Sequence, residues 1–284
     1  MCGNYGWVLM FVGDVSRETF CCLSGICCLP CPFVLKAADM PKLFLIPTPL
    51  AAPDTPCLLP HEAAQIAHLT DFVVEDAKTA RACLRHLGIR TPVRALSLSL
   101  LNGHTPADAL PDLLRPLHEG RDLGLVSEAG CPAVADPGAD LVALAHARGF
   151  DVCPLVGPSS IMLALMASGA NGQCFAFKGY LPADAEGRAK RLKQLQQRSR
   201  TENETQLFIE TPYRNQAVLT DAVALLDDDT LLCTATELTS PQQQIISQSI
   251  RQWRNLPELP NLKKRPTLFV LHGGAVTKSQ HLCR

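Results

Sequence analysis

Short apolar runs alternate with longer amphipathic stretches along most of this chain. Leu123 to Val126 reads as a buried strand, and the polar elbow Ser127 to Gly130 lies just past its carboxyl end. Pro137 to Arg148 follows as a helix, with Asp136 as N-cap and proline at the first helical position. A strand over Asp151 to Val156 then runs into a second elbow at Gly157 and Pro158. Upstream, Thr70 to Asp76 predicts a strand ending in two carboxylates, and Ala77 to Leu87 a helix stopped by Gly88. Val93 to Leu101 is the next apolar stretch. The helix opened by Thr105 and Pro106 ends near Gly120, kinked or split by Pro111 and Pro116. Strands alternating with helices of this length predict a parallel α/β sheet. No G-x-G-x-x-G follows any strand, which counts against a dinucleotide-binding fingerprint.

Past Ser159 the texture changes. Ser160 to Ser168 predicts a helix closed by Gly169, and Cys174 to Lys178 an apolar stretch after it. A basic helix near Asp184 to Arg198, a strand over Gln206 to Glu210 and a helix from Pro212 to Leu226 come next. Thr230 to Glu237, Gln243 to Ile250 and Thr267 to Leu271 are three further strands with little helix between them. That order predicts a mixed, partly antiparallel second sheet. The organisation expected is a segment over 1–39, an α/β domain over 40–156, a mixed-sheet domain over 157–273 and a polar tail over 274–284.

The first 39 residues stand apart. They hold Cys2, Cys21, Cys22, Cys27, Cys28 and Cys31 of the chain's 13 cysteines, without helical or strand period. Cys28 to Cys31 is a lone C-x-x-C with no second pair, so no metal site is expected. The segment is an over-long start with Met40 as initiator, a targeting segment without the usual basic leader, or a genuine extension. The other cysteines are scattered among strands and helices, which suits a reducing cytoplasm.

Composition narrows the function. With 47% apolar and 19% charged residues the chain is not a disordered one. No apolar run reaches transmembrane length, so no membrane partner is expected. The net charge of −1 gives no global pull toward nucleic acid, so any RNA contact must be local. The local candidate is Arg188, Lys190, Arg191, Lys193, Arg198 and Arg200, with no acid between Gly187 and Thr201. These form either a solvated helix face or a grip on phosphate. Few aromatics interleave with them, so no base-stacking platform is expected there.

The chemistry is expected at the two elbows, because ligands in open α/β sheets settle beyond the carboxyl ends of the strands. Ser127, Ser159 and Ser160 offer hydroxyl donors, and the helix start adds N–H groups for an anion. Gly130, Gly138 and Gly157 are turn glycines or sites of close ligand approach. Asp136 is a structural cap or a cofactor neighbour. Glu75 and Asp76 either cap the next helix or hold an acceptor proton. His104, in the loop Asn102-Gly103-His104-Thr105, is a surface histidine or a further base.

These residues carry a resemblance. Val126-Ser127-Glu128-Ala129-Gly130-Cys131-Pro132 with Asp136-Pro137-Gly138 resembles the V-S-D-A-G-T-P and D-P-G of tetrapyrrole-methylase-fold methyltransferases. The nearest branch is the bacterial small-subunit rRNA cytidine 2′-O-methyltransferases. Pro154-Leu155-Val156-Gly157-Pro158 matches its P-L-P-G-P, Pro47-Thr48-Pro49 its P-T-P, and Gly179-Tyr180-Leu181-Pro182 its G-F-L-P. Glu237-Leu238-Thr239 matches its E-L-T, and the likeness runs in order from Leu43 to Gly273. Three segments depart. Leu50 to Asp54 replaces I-G-N-L, Glu75-Asp76-Ala77-Lys78 replaces E-D-T-R, and Leu101 to Thr105 stands for the loop with H-D-H-N. The chain therefore resembles a divergent subgroup in which the cofactor half is kept better than the acceptor half.

The resemblance implies a two-domain tetrapyrrole-methylase-like α/β fold and an S-adenosyl-L-methionine (SAM)-dependent methyltransferase. It implies cofactor contacts from Pro47, Ser127, Glu128, Ala129, Gly130, Asp136, Gly157, Pro158, Ser159 and Ser160. Glu75, Asp76 and His104 are the candidate catalytic residues, unranked. Arg188, Arg191, Glu210 and Tyr213 are the candidate substrate contacts. RNA or the ribosomal small subunit is the implied partner, the cytoplasm the location, and a homodimer the assembly. The alternatives are methylation of a tetrapyrrole or small metabolite, or SAM binding without catalysis.

Overall fold

The computed structural model describes residues 40–274, so the expectations for 1–39 and for the tail beyond Gly274 lie outside the described residues. The first half alternates strand and helix: β1 (Lys42–Ile46), α1 (Pro60–Ile66), β2 (Asp71–Val74), α2 (Ala77–Leu84) and β3 (Ser97–Leu100). Then come α3 (Leu110–Leu113), α4 (Arg115–His118), β4 (Leu123–Val126), α5 (Gly138–Ala147) and β5 (Asp151–Pro154). Pro111 and Pro116 each stand in the first turn of a short helix, because a residue without an N–H can open a helix but not continue one. The expected helix is split at these two points.

The five strands pair in the order β3-β2-β4-β1-β5, all parallel. Side chains alternate across the sheet with the period of two that strands impose. Phe44 and Ile46 of β1 pack with α1 and α2 on one face, while Leu43 packs with α3, α4 and α5 on the other. The helix after β1 and the helix after β4 thus leave on opposite faces. These strands are neighbours, so a crevice opens between their carboxyl ends, the topological switch point of the sheet.

The second half begins with α6 (Ser160–Ser168), whose limits are those expected from the Ser159 cap and Gly169. β6 (Phe175–Tyr180), α7 (Ala185–Glu202), β7 (Thr205–Ile209), α8 (Asn215–Leu225) and β8 (Leu231–Thr236) follow. β9 (Gln244–Ser249), α9 (Ile250–Arg254) and β10 (Thr267–His272) close the described chain. The strand order is β6-β7-β10-β8-β9, with only β6 and β7 parallel, as the mixed pattern predicts. Phe208 and Phe269 stack at 5.3 Å under α7, α8 and α9, and Trp253 donates its indole N–H to the Leu232 carbonyl at 2.9 Å. The opposite face packs on α6 through Ala164, Leu165, Leu207 and Val270, joined by Leu50 from the loop after β1.

Several elements differ from expectation. α7 runs to Glu202, past Arg198. α8 starts at Asn215, because Thr211 to Arg214 forms a turn. β3 is shorter than its apolar stretch, since Val93–Ala95 is a 3-10 turn.

Gly124 shows how tightly the first sheet is filled. A Cβ there would lie 2.6 Å from the Phe72 ring and 2.9 Å from Ile46. Gly124→Ala is expected to destabilise the protein by about 1–3 kcal/mol, the usual cost of overpacking a filled core. Urea denaturation should show the loss as a lower midpoint with an unchanged slope.

Candidate active site

Three loops meet at the switch point, and backbone contacts fix them. Thr48 and Gly130 exchange hydrogen bonds of 2.9 and 3.1 Å, tying the loop after β1 to the loop after β4. Gly157 lies so close to Pro47 that a Cβ would stand 2.2 Å from the proline ring, which brings the loop after β5 onto the same knot. The Ser127 hydroxyl donates to the Gly130 carbonyl at 3.2 Å, and Cys131 Sγ reaches the Pro158 carbonyl at 3.4 Å. Past the knot, Asp136 Oδ1 accepts from the N–H groups of Ala133 and Gly138, both at 2.8 Å. α5 therefore starts one residue later than expected, at Gly138. Pro137 holds the formal cap position, and Asp136 serves both the turn and the helix start. Ala133 and Ala135 both have φ of 62°, a left-handed conformation that costs an alanine free energy and is held by this bonding.

Above the knot lies a cavity of about 600 Å³ walled by both sheets. Among the described residues its lining holds the carboxylates of Glu75, Glu128, Asp136, Glu210 and Glu237, and no lysine, arginine or histidine. Glu210 is paired with Arg214, and Glu237 with Arg265 at 2.7 Å. Among the described residues Glu75, Glu128 and Asp136 have no such partner. Burial pushes the Glu75 carboxyl up from its ordinary range, and the negative charges of Asp136 and Glu128 push it further; the Glu128 backbone N–H opposes them. Burial also raises Asp136, against the pull of the Gly138 and Ala133 N–H groups. One wall is the start of α6: Ser159, Ser160 and Ile161 line the cavity, with the Ser159 hydroxyl accepting from Met162 N–H. The other walls are apolar, from Ile209, Ala235, Leu238 and Leu268. Glu210 Oε2 is buried in this region without any hydrogen-bond partner.

Of the residues singled out from the sequence, Glu75, Ser127, Glu128, Ala129, Gly130, Asp136, Ser159, Ser160 and Glu210 come together on this lining. Pro47, Gly157 and Pro158 do not line it; they form the knot beneath. Asp76 caps α2 instead, with Oδ1 accepting from the N–H and hydroxyl of Thr79, and those bonds lower its pKa. His104 is exposed on the loop after β3, outside the lining, its N–H bound to Asn102 Oδ1. Arg188 is no surface cation: it is 7% exposed, and its Nε donates to Asp221 at 2.6 Å. Arg191 lies on α7 away from the lining, and Tyr213 stands beside Pro212, which does line it. Leu50, Tyr180 and Glu237 are lining residues that the sequence argument did not select as site residues. Glu237 stood in a quoted motif, and its pairing with Arg265 across the second sheet is the feature no local pattern displays.

Among the described residues no group of three or more His, Cys, Asp or Glu is arranged to hold a metal, and no helix is long and apolar enough to cross a membrane. Ribosomal RNA small subunit methyltransferase I of Escherichia coli O157:H7 is 32% identical over 205 residues, covering 72% of this chain and 68% of that protein. The protein of the same name from Vibrio cholerae is 30% identical over 237 residues, covering 82% and 77%. Among solved structures the methyltransferase CobJ aligns with a TM-score of 0.54 at 21% identity, over 82% of this chain and 93% of its own. Cobalt precorrin-4 methyltransferase CbiF, a cobalamin biosynthetic enzyme, aligns at 0.52 and 13% identity, over 84% and 98%. These likenesses establish the fold as the tetrapyrrole-methylase one. No protein-family profile matches the chain.

The raised Glu75 pKa has a measurable sign. Its charged form is disfavoured in the folded state, so the stability it contributes is present below about pH 4.3, the ordinary glutamate value, and lost as pH rises through the folded pKa. Glu75→Gln is therefore expected to raise the melting temperature at pH 7. The gain should shrink to nothing in scans below pH 4.

Proposed function

We propose that this chain, which belongs to the ribosomal RNA small subunit methyltransferase I family, methylates a ribose hydroxyl of small-subunit rRNA. It is a SAM-dependent methyltransferase, and the observation that carries the reading of its site is the cavity at the switch point, walled by carboxylates and one helix start. The lining suits SAM. Glu128 and Asp136 supply negative charge for a sulfonium and an ammonium group. The free N–H groups of Ser160 and Ile161 at the start of α6 suit its carboxylate. The apolar wall of Ala235, Leu238 and Leu268 suits the adenosine, and the unpaired Glu210 Oε2 is an acceptor for an amino or hydroxyl donor. Pro47, Gly157 and Pro158 act through the knot, by holding the Ser127 to Gly130 loop in place.

The bound cofactor supplies a methyl group on a positively charged sulfur, already activated for displacement. The protein's part is to position, to exclude water and to take a proton. Glu75 is the proposed base: it lines the cavity, and its pKa is raised toward the range in which a carboxylate takes a proton from a hydroxyl as attack proceeds. Asp76, engaged by Thr79, orients α2 behind it, and His104 is not needed for the step. Glu210 and Tyr213 serve the acceptor side. A cytoplasmic place of action fits a ribosomal substrate.

The proposal also takes up the homodimer. It is supported by exposed apolar side chains: Val156, just past edge strand β5, at 61%, and Met162 and Met166 of α6 at 44% and 76% exposure. Met162 and Met166 share one face of α6, four residues apart.

Incubation with SAM labelled on the methyl group and small ribosomal subunits, followed by nucleoside mass spectrometry, tests the activity. Label is expected in a 2′-O-methylated nucleoside; label on a base, or only on an added tetrapyrrole, would sink the reading. Glu75→Gln should lower kcat by about 10²–10⁴-fold with SAM affinity kept. For the assembly, sedimentation should give a dimer for the parent and a folded monomer for Met162→Glu with Met166→Glu. A monomeric parent at micromolar concentration would end the dimer proposal.

A further inference from the structure

A cavity lined by carboxylates with no cation repels phosphate. A nucleoside within a chain can enter it only if its flanking phosphates are held outside, by cations beside the mouth. No residue of α7 lines the cavity. Arg188 is committed to Asp221, Arg198 to Glu202 and Glu204, and Arg200 to Asp227 and Asp229, which leaves Lys190, Arg191 and Lys193 as its cations without an ion pair among the described residues.

The segment 261–266 meets the requirement. Pro266 lines the cavity, and so does Pro212 across from it. Three hydrogen bonds fasten the segment to α8 and the turn before it: Lys264 N–H to the Pro212 carbonyl at 2.8 Å, Leu262 N–H to Gln216 Oε1 at 2.8 Å, and Asn215 Nδ2 to the Arg265 carbonyl at 2.7 Å. On this fixed frame Lys263 and Lys264 are exposed, and among the described residues neither has a carboxylate within ion-pairing distance. Arg265, beside them, is occupied by Glu237. Lys264 is held at φ 62°, a strained conformation for a long side chain, and such strain persists only where the surroundings enforce it.

Two aromatic rings complete the rim. Tyr213, next to Pro212, is 75% exposed, and Tyr180, on the lining itself, is 58% exposed. A tyrosine ring left this open beside unpaired lysines matches how proteins hold single strands, with phosphates on cations and bases on aromatic faces.

We propose that Tyr213, Lys263 and Lys264 form the landing site for an unpaired RNA strand. Lys263 and Lys264 hold the phosphates flanking the target, Tyr213 stacks on a neighbouring base, and the target nucleoside passes Tyr180 into the cavity. The proposal rests on the rRNA reading above and adds the surface that delivers the substrate. It also carries a requirement: the target nucleotide must be unpaired or turned out of its helix to reach the cavity.

The test uses the full chain, a 12-nucleotide unpaired RNA and isolated small ribosomal subunits, across a salt series. Lys263→Ala with Lys264→Ala should flatten the salt slope of oligonucleotide binding by about 1.4, two phosphate contacts at 0.7 each, with SAM affinity by calorimetry unchanged. Tyr213→Ala should raise KM for RNA about tenfold, and Tyr213→Phe should restore it, since a phenyl face stacks as well. An unchanged slope in the lysine variant overturns the proposal; if Lys190→Ala with Lys193→Ala flattens it instead, the strand lies on α7. Loss of binding to whole subunits with oligonucleotide binding intact also overturns it, since the rim would then meet a ribosomal protein. If the parent protein transfers no methyl group to small-subunit RNA, the underlying reading fails and takes this one with it, a result separate from either outcome above.

Discussion

The two hydrogen bonds between the backbones of Thr48 and Gly130 are the constraint on which the site depends. They join loops leaving neighbouring strands toward opposite faces of the sheet, at the point where the chain order reverses. Gly157, pressed on Pro47, adds the third loop and with it the route into α6 and the second sheet. Leu50, only two residues past Thr48, packs into the core of that second sheet. One short stretch of backbone therefore shapes the cavity floor and connects it to the opposite wall. Because these contacts are made by main chain and proline ring, the floor does not rely on side chains that a ligand could displace.

The cavity's electrostatics follow from what that floor leaves unpaired. Glu210 and Glu237 have guanidinium partners, so their charges are largely offset. Glu75, Glu128 and Asp136 do not; burial raises the first and last of them, and for Glu75 the neighbouring negative charges add to it. The pattern that in the proposed reading suits a cationic cofactor also disfavours polyanions, and so divides the molecule into an acidic interior and a rim where cations are useful. Cations far from that mouth serve a different purpose: Arg188 and Arg200 tie α7 to α8 and to the turn after it.

Much of the fold was legible in the sequence, because the strands of the first sheet are apolar runs closed by specific breakers. α6 could be bounded to the residue since Ser159 caps it and Gly169 ends it in the left-handed conformation. α1 was not legible by period: only Glu62 and Ile66 are buried, so no apolar stripe exists, although Pro60 at its start was a usable signal. α9 carried the capping box of Ser249 and Gln252 over too few turns to show an apolar face. The site divided along the same line. Ser127 to Gly130 of the first elbow could be singled out because strand ends announce themselves, and these residues do line the cavity, whereas Gly157 and Pro158 of the second lie beneath it. The adjacent pair Glu75 and Asp76 could not be resolved until α2 was seen to start at Ala77 and engage the second carboxylate. Arg188 misled because no acid falls between Gly187 and Thr201, while Asp221, the acid that neutralises it, lies 33 residues away on α8. Pairing across that distance is set by tertiary packing and leaves no mark in a local window.

The absence of any cation from the cavity lining bears on turnover as well as on selectivity. In the proposed reaction the donor would lose the charge on its sulfur as Glu75 takes a proton, so part of the attraction that Glu128 and Asp136 offer it would be lost in the step that consumes it. In that reading the spent cofactor would keep the contacts of its ammonium, carboxylate and adenosine groups and lose only the share due to its sulfur. Release of the spent cofactor would thus be eased by the charge change of the chemistry. What remains is to clear one proton from a half-buried carboxyl, so the enzyme's resting charge is restored by solvent.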